Sequence, residues 1–182
     1  MSKLLKRALK ISIAPAILMI VGKFLGIFAT SILYDLQFNI DNDISGIFSV
    51  QIYFTDPETT LFVNSMSNLT MILSLLLPIL YFIIKTYLYT EAHNNPKTII
   101  KMTKLNLLNW ITKKDTSFLK TFIWCAFLWL ATAITITHSI QGNTYSWIAV
   151  TSGVIALLVT LFTIKTFELE TDKIYPIEKK YF

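Results

Sequence analysis

Charged residues are scarce in this chain: 15% of its 182 residues are Asp, Glu, Lys or Arg, against about 25% in a typical soluble domain. The chain has one cysteine, Cys125, so an intramolecular disulfide is excluded. Glycine and proline number only five each, and no low-complexity tract divides the sequence. Apolar residues instead make up 54% of the chain, and the mean hydropathy is +0.58. This balance argues against a soluble globular enzyme and against a disordered protein.

Four apolar windows are each long enough to cross a bilayer, which takes roughly 20 residues. We therefore expect an all-α integral membrane protein with four helices in one domain, 1–182. The predicted spans are 11–34, 68–89, 118–140 and 145–167. An outer loop at 35–67, an inner loop at 90–117 and a tail at 168–182 account for most of the remaining residues.

Lysine and arginine are distributed unevenly between the connections, and this distribution predicts the orientation. The amino-terminal segment has four basic residues and no acid, whereas the outer loop has five acids and no Lys or Arg. The inner loop has five lysines. We expect both termini to be cytoplasmic, in the inner membrane of a bacterium. Basic residues beside membrane spans are ordinary, so we expect no direct nucleic-acid partner.

The two long connections each contain a predicted element. In the 33-residue outer loop, segments 46–54 and 60–63 are rich in β-branched and aromatic residues and flank a turn signal, which predicts a short β-hairpin or an interfacial segment. In the inner loop, Asn95-Pro96 indicates the start of an amphipathic helix at the inner leaflet. That helix either lies on lipid or docks a cytoplasmic partner. The residues predicted for docking are Lys97, Lys101, Lys104 and Trp110.

Small residues recur at helical spacing on two of the spans, where they allow helices to approach closely. These stripes serve either packing within one bundle or contacts between copies, and their number favours a homo-oligomer. The predicted interface residues are Gly22, Gly26 and Thr30 on the first span and Ala149, Gly153 and Thr160 on the fourth.

Polar side chains within the spans are few, and charges inside a bilayer are costly and usually functional. No acid lies within any span, which disfavours proton-driven transport. Lys23 is the one basic residue well inside a span, and it is either buried with a function or extends its amine to the interface. Thr132 and Thr135 belong to a polar face of the third span, which packs against a helix or lines a pore.

Catalysis has little support in the sequence. The two histidines, His93 and His138, fall on opposite sides of the predicted membrane and cannot share a metal ion. No metalloprotease, nucleophile-elbow or phosphate-loop motif is present. We therefore expect a protein that is not an enzyme and has no metal or cofactor.

The chain resembles the four-helix membrane protein of the two-gene Kiwa anti-phage defence system in its four-span topology, its small size and its Lys-, Asn- and Ile-rich composition. The resemblance implies a protein that senses infection at the envelope and works with a cytoplasmic effector. The expected partners are membrane lipids, further copies of the chain and a cytoplasmic protein.

Two alternatives stay open. Segment 56–61, which reads Asp-Pro-Glu-Thr-Thr-Leu, is loosely similar to the region before the second span of some immunity proteins against pore-forming bacteriocins. Such a protein would bind the toxin's helices within the bilayer. The other alternative is a small ion channel lined by the polar face of the third span.

Overall fold

A computed structural model describes residues 3–40, 52–54, 56–94 and 117–174, together with positions 97, 100 and 104–105. Within these residues the chain forms four long α-helices and one pair of short strands. The helices are α1 (Lys3–Leu33), α2 (Pro57–Asn94), α3 (Ser117–Ile140) and α4 (Ser146–Ile174). The strands are β1 (Phe38–Ile40) and β2 (Ile52–Phe54).

All four helices contain a segment long and apolar enough to cross a membrane, which confirms the predicted all-α architecture with four candidate spans. Large apolar side chains on their outward faces are exposed, including Ile17, Leu77, Leu130 and Leu157. A soluble helical bundle would place polar residues there. The four candidate spans therefore suggest a multi-pass membrane protein.

The second helix organises the bundle, because it packs along α1 and also contacts both α3 and α4. The third and fourth helices pack along each other, and α1 also touches α3. The ring of Phe82 on α2 meets the edge of the Trp124 ring on α3, with the ring centroids 6.0 Å apart. The main apolar core draws on three helices and includes Met71, Ile72, Leu75, Ile79, Trp124, Leu128, Ala156 and Val159.

Two helices end in the same hydrogen-bonded cap. At the end of α3, the amide of Asn143 donates to the His138 carbonyl and the amide of Gly142 to that of Ser139, while Gly142 has a φ of 75°. This is a Schellman motif with glycine in the left-handed position. The end of α1 repeats it around Asp35, which has a φ of 51°.

The second helix begins earlier than the sequence predicted. Asp56 caps it: the carboxylate Oδ2 accepts from the Thr59 amide at 3.2 Å, and Pro57 is the first helical residue. Residues 57–67, predicted as outer loop, are therefore helical. The predicted strand 60–63 is wrong for the same reason, and β2 pairs antiparallel with β1 instead.

The helices differ in length, and the difference falls at one end of the bundle. The candidate spans of α1 and α2 have 29 and 32 residues, about 43 and 48 Å, whereas those of α3 and α4 have 22 and 20 residues, about 33 and 30 Å. Ser67 contacts Lys23, and Asn68 contacts His138, so these residues share one level near the α3–α4 turn. Beyond Lys23, α1 continues for about 15 Å to Leu33.

We call the end of the bundle that carries the α3–α4 turn the turn end, and the other the tail end. Residues 24–33 of α1 and 57–66 of α2 form the α1–α2 extension beyond the turn. A small second core holds it together, in which Ile27, Phe54 and Val63 are buried. The extension therefore carries β2 against its side, and its apolar side chains Ile32 and Leu33 are each 78% exposed.

Candidate functional site

Buried polar side chains concentrate at the turn end, at the base of the α1–α2 extension. Most of the bundle interior is apolar, so this concentration is the strongest local departure from ordinary packing. The fully or almost fully buried members are Ser65, Ser67, Asn68, Thr132, Thr135 and Thr144. We call them, together with the half-buried Lys23 and His138, the polar cluster.

Asn68 lies at the centre of the polar cluster and is completely buried. Its amide nitrogen donates to Thr144 Oγ1 at 2.7 Å and lies 3.2 Å from His138 Nδ1. An amide nitrogen only donates, so His138 Nδ1 is the acceptor in this arrangement.

Two serines attach the rest of the cluster to α2. Ser65 Oγ accepts a hydrogen bond from the amide of Tyr145 at 3.0 Å, and Ser67 Oγ donates to the carbonyl of Lys23 at 2.8 Å. With the bonds of Asn68, these contacts tie α1, α3 and the α3–α4 turn to one short stretch of α2. A displacement of α2 at this level would therefore move three other parts of the bundle.

Lys23 lies at the level of the α3–α4 turn, not at the middle of the bundle. Its carbonyl accepts from Ser67 Oγ, and the next residue, Asn68, contacts His138. Within the described ranges no carboxylate pairs with Lys23. The acids Asp35, Asp56 and Glu58 lie at the far end of the extension or just past it, and all three are exposed. An amine in an apolar region without a counter-charge is unfavourable, so a role beyond packing is expected of Lys23.

Three buried oxygen atoms have no hydrogen-bond partner among the described residues: Asn68 Oδ1, Thr132 Oγ1 and Ser31 Oγ. Thr135, by contrast, donates to the Ala131 carbonyl at 2.9 Å. A buried polar atom without a partner costs about 1–3 kcal/mol. Two of the three belong to the polar cluster, so its hydrogen bonding is incomplete among the residues that the structure describes.

An apolar layer interrupts the polar interior beneath Thr132, where Leu75, Ile79 and Leu128 are all buried. Nearer the tail end Thr121 and Thr163 are buried as well, and Thr163 Oγ1 lies 3.3 Å from Cys125 Sγ. An ion crossing one chain would have to pass this apolar layer. The polar face of α3 therefore gives no continuous polar path through a single copy.

The small-residue stripe of α1 packs within the chain, which is one of the two alternatives that its sequence pattern leaves open. A side-chain carbon added at Gly26 would lie 2.6 Å from the Cα of Ser67, and one added at Gly22 would overlap Ser74. Thr30 is buried and donates to the Gly26 carbonyl. Because α2 already occupies this face, Gly22, Gly26 and Thr30 are positions of close contact between α1 and α2.

The stripe of α4 is only partly covered. Ala149 is buried, whereas a side-chain carbon added at Gly153 would meet no atom within 4 Å. Thr160 accepts a hydrogen bond of 2.9 Å from the indole of Trp129 across the α3–α4 contact. Beside it an open groove of about 410 Å³ faces outward, lined by Phe122, Cys125, Ala126, Trp129, Thr160, Thr163 and Ile164.

The predicted docking residues lie on the connection between α2 and α3. Lys97 and Lys104 have helical backbone and exposed side chains, as does Ile100 between them, so basic and apolar groups are presented together. Lys101 and Trp110, as well as most of the predicted amphipathic helix, lie outside the described residues.

Sequence reasoning missed most of the polar cluster. The prediction began the second span at Asn68 and gave neither Asn68 nor Ser65 and Ser67 a role. The signal was present: the run Asn64 to Thr70 contains five residues with polar side chains inside what proves to be one apolar helix. Polar residues at that density in a membrane helix indicate contacts with other helices.

No group of three or more metal-ligating side chains occurs in the part of the chain that the structure describes. Comparison with protein-family models, with curated proteins and with solved structures gives no match.

Proposed function

We propose that this protein is a non-enzymatic subunit of the bacterial inner membrane that senses a change at the outer side and passes it to a cytoplasmic partner. The observation that carries the proposal is the polar cluster, which joins α1, α2 and the α3–α4 turn directly beneath the α1–α2 extension. The orientation follows from the lysine distribution, which places the turn end outside.

The extension provides the sensing surface in this proposal. It presents exposed apolar side chains and β2 beyond the level at which α3 and α4 end. A ligand or envelope component that moves the extension would pull on Ser65, at its base, and on Ser67 and Asn68, which directly follow it on α2. Ser65 and Asn68 hold the α3–α4 turn, so the movement would change the packing of the whole bundle.

The partner surface lies at the opposite end, where Lys97, Ile100 and Lys104 are exposed on the connection between α2 and α3. Both helices that flank this connection belong to the polar cluster at their other ends. The bundle therefore links the two surfaces through rigid helices. The proposed role in phage defence is based on the resemblance in topology to the Kiwa membrane protein. We expect the protein to assemble as a homo-oligomer.

The experiment is purification of the tagged full chain from native membranes in mild detergent, with measurement of its mass and identification of co-purifying proteins. We expect a homo-oligomer with a stoichiometric cytoplasmic protein. The double variant Lys97→Glu with Lys104→Glu should lose that protein while keeping the oligomer mass. The matched control is Lys6→Glu with Lys10→Glu, which reverses two exposed charges on α1 and should keep the partner.

Two results would contradict the proposal. One is a monomer without any stoichiometric protein, and the other is a partner retained equally by both double variants. The second candidate function, immunity against a pore-forming bacteriocin, would then gain weight. The open groove between α3 and α4 favours that candidate, because it offers an apolar recess on the lipid-facing side where a toxin helix could lie.

A further inference from the structure

The far end of the α1–α2 extension presents large side chains that are mostly apolar and exposed. Ile32 and Leu33 are each 78% exposed, and the next residue, Tyr34, is exposed as well. The rings of Tyr34 and Phe62 form an edge-to-face pair with their centroids 5.1 Å apart, so the end of α1 is held against the start of α2. We call Ile32, Leu33 and Tyr34 the apolar tip.

The apolar tip lies beyond the level of the lipid headgroups. The spans of α3 and α4 match a hydrocarbon core of about 30 Å, which puts the α3–α4 turn at the edge of that core. Lys23 is level with the turn, and Leu33 lies about 15 Å further along α1. A headgroup layer adds only about 5–8 Å. Apolar side chains that project this far into water mark an interaction site.

Apolar side chains continue from the tip down to the membrane on one face of α1. Leu25, Phe28 and Ile32 follow at intervals of three and four residues and are all exposed, so they form one ridge about 10 Å long. Another helix packs against such a ridge when its own apolar residues have the same spacing. The shape of this surface therefore favours a helical partner with one apolar face.

The charges around the apolar tip all have one sign. From residue 24 to residue 84 the sequence has five acids and no Lys or Arg. Three of these acids are among the described residues and are exposed: Asp35 directly follows the tip, and Asp56 and Glu58 lie at the start of α2. The α3–α4 turn, 141–144, has no charged residue. A partner with positive charge around its apolar face would be attracted, and a negative one would be repelled.

We propose that the apolar tip and the three acids bind a cationic amphipathic helix, which is a segment of another protein with apolar residues on one face and Lys or Arg beside them. Its apolar face lies along the ridge of α1 and on the tip, and its basic residues lie beside Asp35, Asp56 and Glu58. The apolar contact supplies most of the affinity. The charges select the sign of the partner and speed its approach.

This inference rests on the proposed function for the idea that the extension is the recognition surface. Its test uses the purified full chain in nanodiscs of phosphatidylcholine, which leave both ends of the bundle accessible and contain no cytoplasmic partner. A failed partner capture therefore does not decide the inference, and a failure of peptide binding does not decide partner capture.

Three fluorescent peptides of equal length serve as probes. One consists of Leu and Lys with the apolar spacing of an amphipathic helix, the second has the same composition in an order without an apolar face, and the third has Glu in place of Lys. Binding is measured by fluorescence anisotropy, with empty nanodiscs as the blank. We expect the Leu–Lys helix to bind, with an affinity that falls as salt is added. The reordered peptide should bind at least about tenfold more weakly, and the Leu–Glu peptide should not bind.

The charge is tested by Asp35→Asn with Glu58→Gln, which leaves the helix cap of Asp56 in place. This double variant should bind the Leu–Lys helix about threefold to tenfold more weakly, because two exposed ion pairs are lost. The matched control is Glu91→Gln with Glu168→Gln, which removes two acids from α2 and α4 at the tail end and should keep the affinity.

The apolar contact is tested by Ile32→Ser, which should weaken binding of the Leu–Lys helix about tenfold. The matched control is Ile140→Ser at the end of α3, where the side chain is 83% exposed but lies off the extension. The control should keep the affinity. Equal losses in these two variants, or in the two charge variants, would overturn the proposed surface.

The peptides alone also decide the proposal, so it stays testable if a variant fails to fold. Equal binding of the Leu–Glu peptide would overturn the charge selection, and equal binding of the reordered peptide would overturn the helical partner. If no peptide binds, the proposal is wrong. A disulfide between two copies of Ile32→Cys, with Cys125 changed to Ala, would then identify a second copy of the chain as the occupant.

Discussion

The amide nitrogen of Asn68 lies 2.7 Å from Thr144 Oγ1, which joins α2 to the α3–α4 turn two residues before α4 begins. The two residues are far apart in the sequence and both are buried. The same nitrogen lies 3.2 Å from His138 Nδ1 at the end of α3. One side chain thus holds the short hairpin of α3 and α4 against the longer hairpin of α1 and α2.

The first prediction concerns this side chain. Asn68→Ala should destabilise the protein by about 1–2 kcal/mol, because it removes two contacts and leaves Thr144 without its partner in a buried position. The measurement is the free energy of unfolding in detergent micelles. The control is Asn64→Ala, one helical turn earlier on α2 and only partly buried, for which the change should be small. Equal effects would mean that Asn68 does not hold the turn.

The second prediction separates the two small-residue stripes. Gly26→Leu should destabilise the fold by about 1–3 kcal/mol, because the new side chain would meet the backbone of α2 at Ser67. Gly153→Leu should leave the fold intact, because space is open there. Oligomer mass and unfolding midpoint are measured for both. A Gly26→Leu protein with wild-type stability would refute the close contact of α1 with α2.

The third prediction concerns the left-handed residues that end two helices. Asp35→Gly should stabilise the protein by up to about 1 kcal/mol, since glycine adopts a positive φ without steric cost. Gly142→Ala should destabilise it by about 1 kcal/mol for the converse reason. Both changes are read from denaturant unfolding. A loss of stability in Asp35→Gly, or a gain of stability in Gly142→Ala, would show that the caps differ from those described.

The fourth prediction concerns the start of α2. Asp56→Ala should cost about 1 kcal/mol of stability, because the carboxylate accepts from the amide of Thr59. Glu58→Ala changes an exposed acid in the first turn of the same helix and should cost less. The readout is again the free energy of unfolding. If the two substitutions lowered the free energy of unfolding equally, the effect would come from the general loss of negative charge. It would then not come from the loss of the cap.

The number of helices and their approximate positions followed from the sequence, because membrane spans are set by apolar length alone. The start of α2 did not, although Asp56-Pro57-Glu58 is also the pattern of a helix cap followed by proline at the first position. It was assigned to a turn because residues 60–63 are β-prone, and the tertiary contact with α1 overrides that propensity.

The polar cluster could be predicted only in part. The sequence shows Lys23 as a charge within a span. Its depth in the membrane depends on where α3 and α4 end, and the sequence of the first span alone does not show this. The relation of Ser67 to Lys23 and of Asn68 to His138 depends on the register between helices. That register is set by the close approach at Gly22 and Gly26, whose partner helix the sequence did not reveal.

Recognition at the turn end and docking at the tail end both require one orientation of the bundle, so the most direct measurement is labelling from each side of the membrane. Single cysteines are placed at the exposed positions Glu58 and Lys104, with the native Cys125 changed to Ala. A membrane-impermeant maleimide should label Glu58→Cys in spheroplasts and Lys104→Cys only after permeabilisation. Labelling of Lys104→Cys before permeabilisation, with Glu58→Cys protected, would contradict the account.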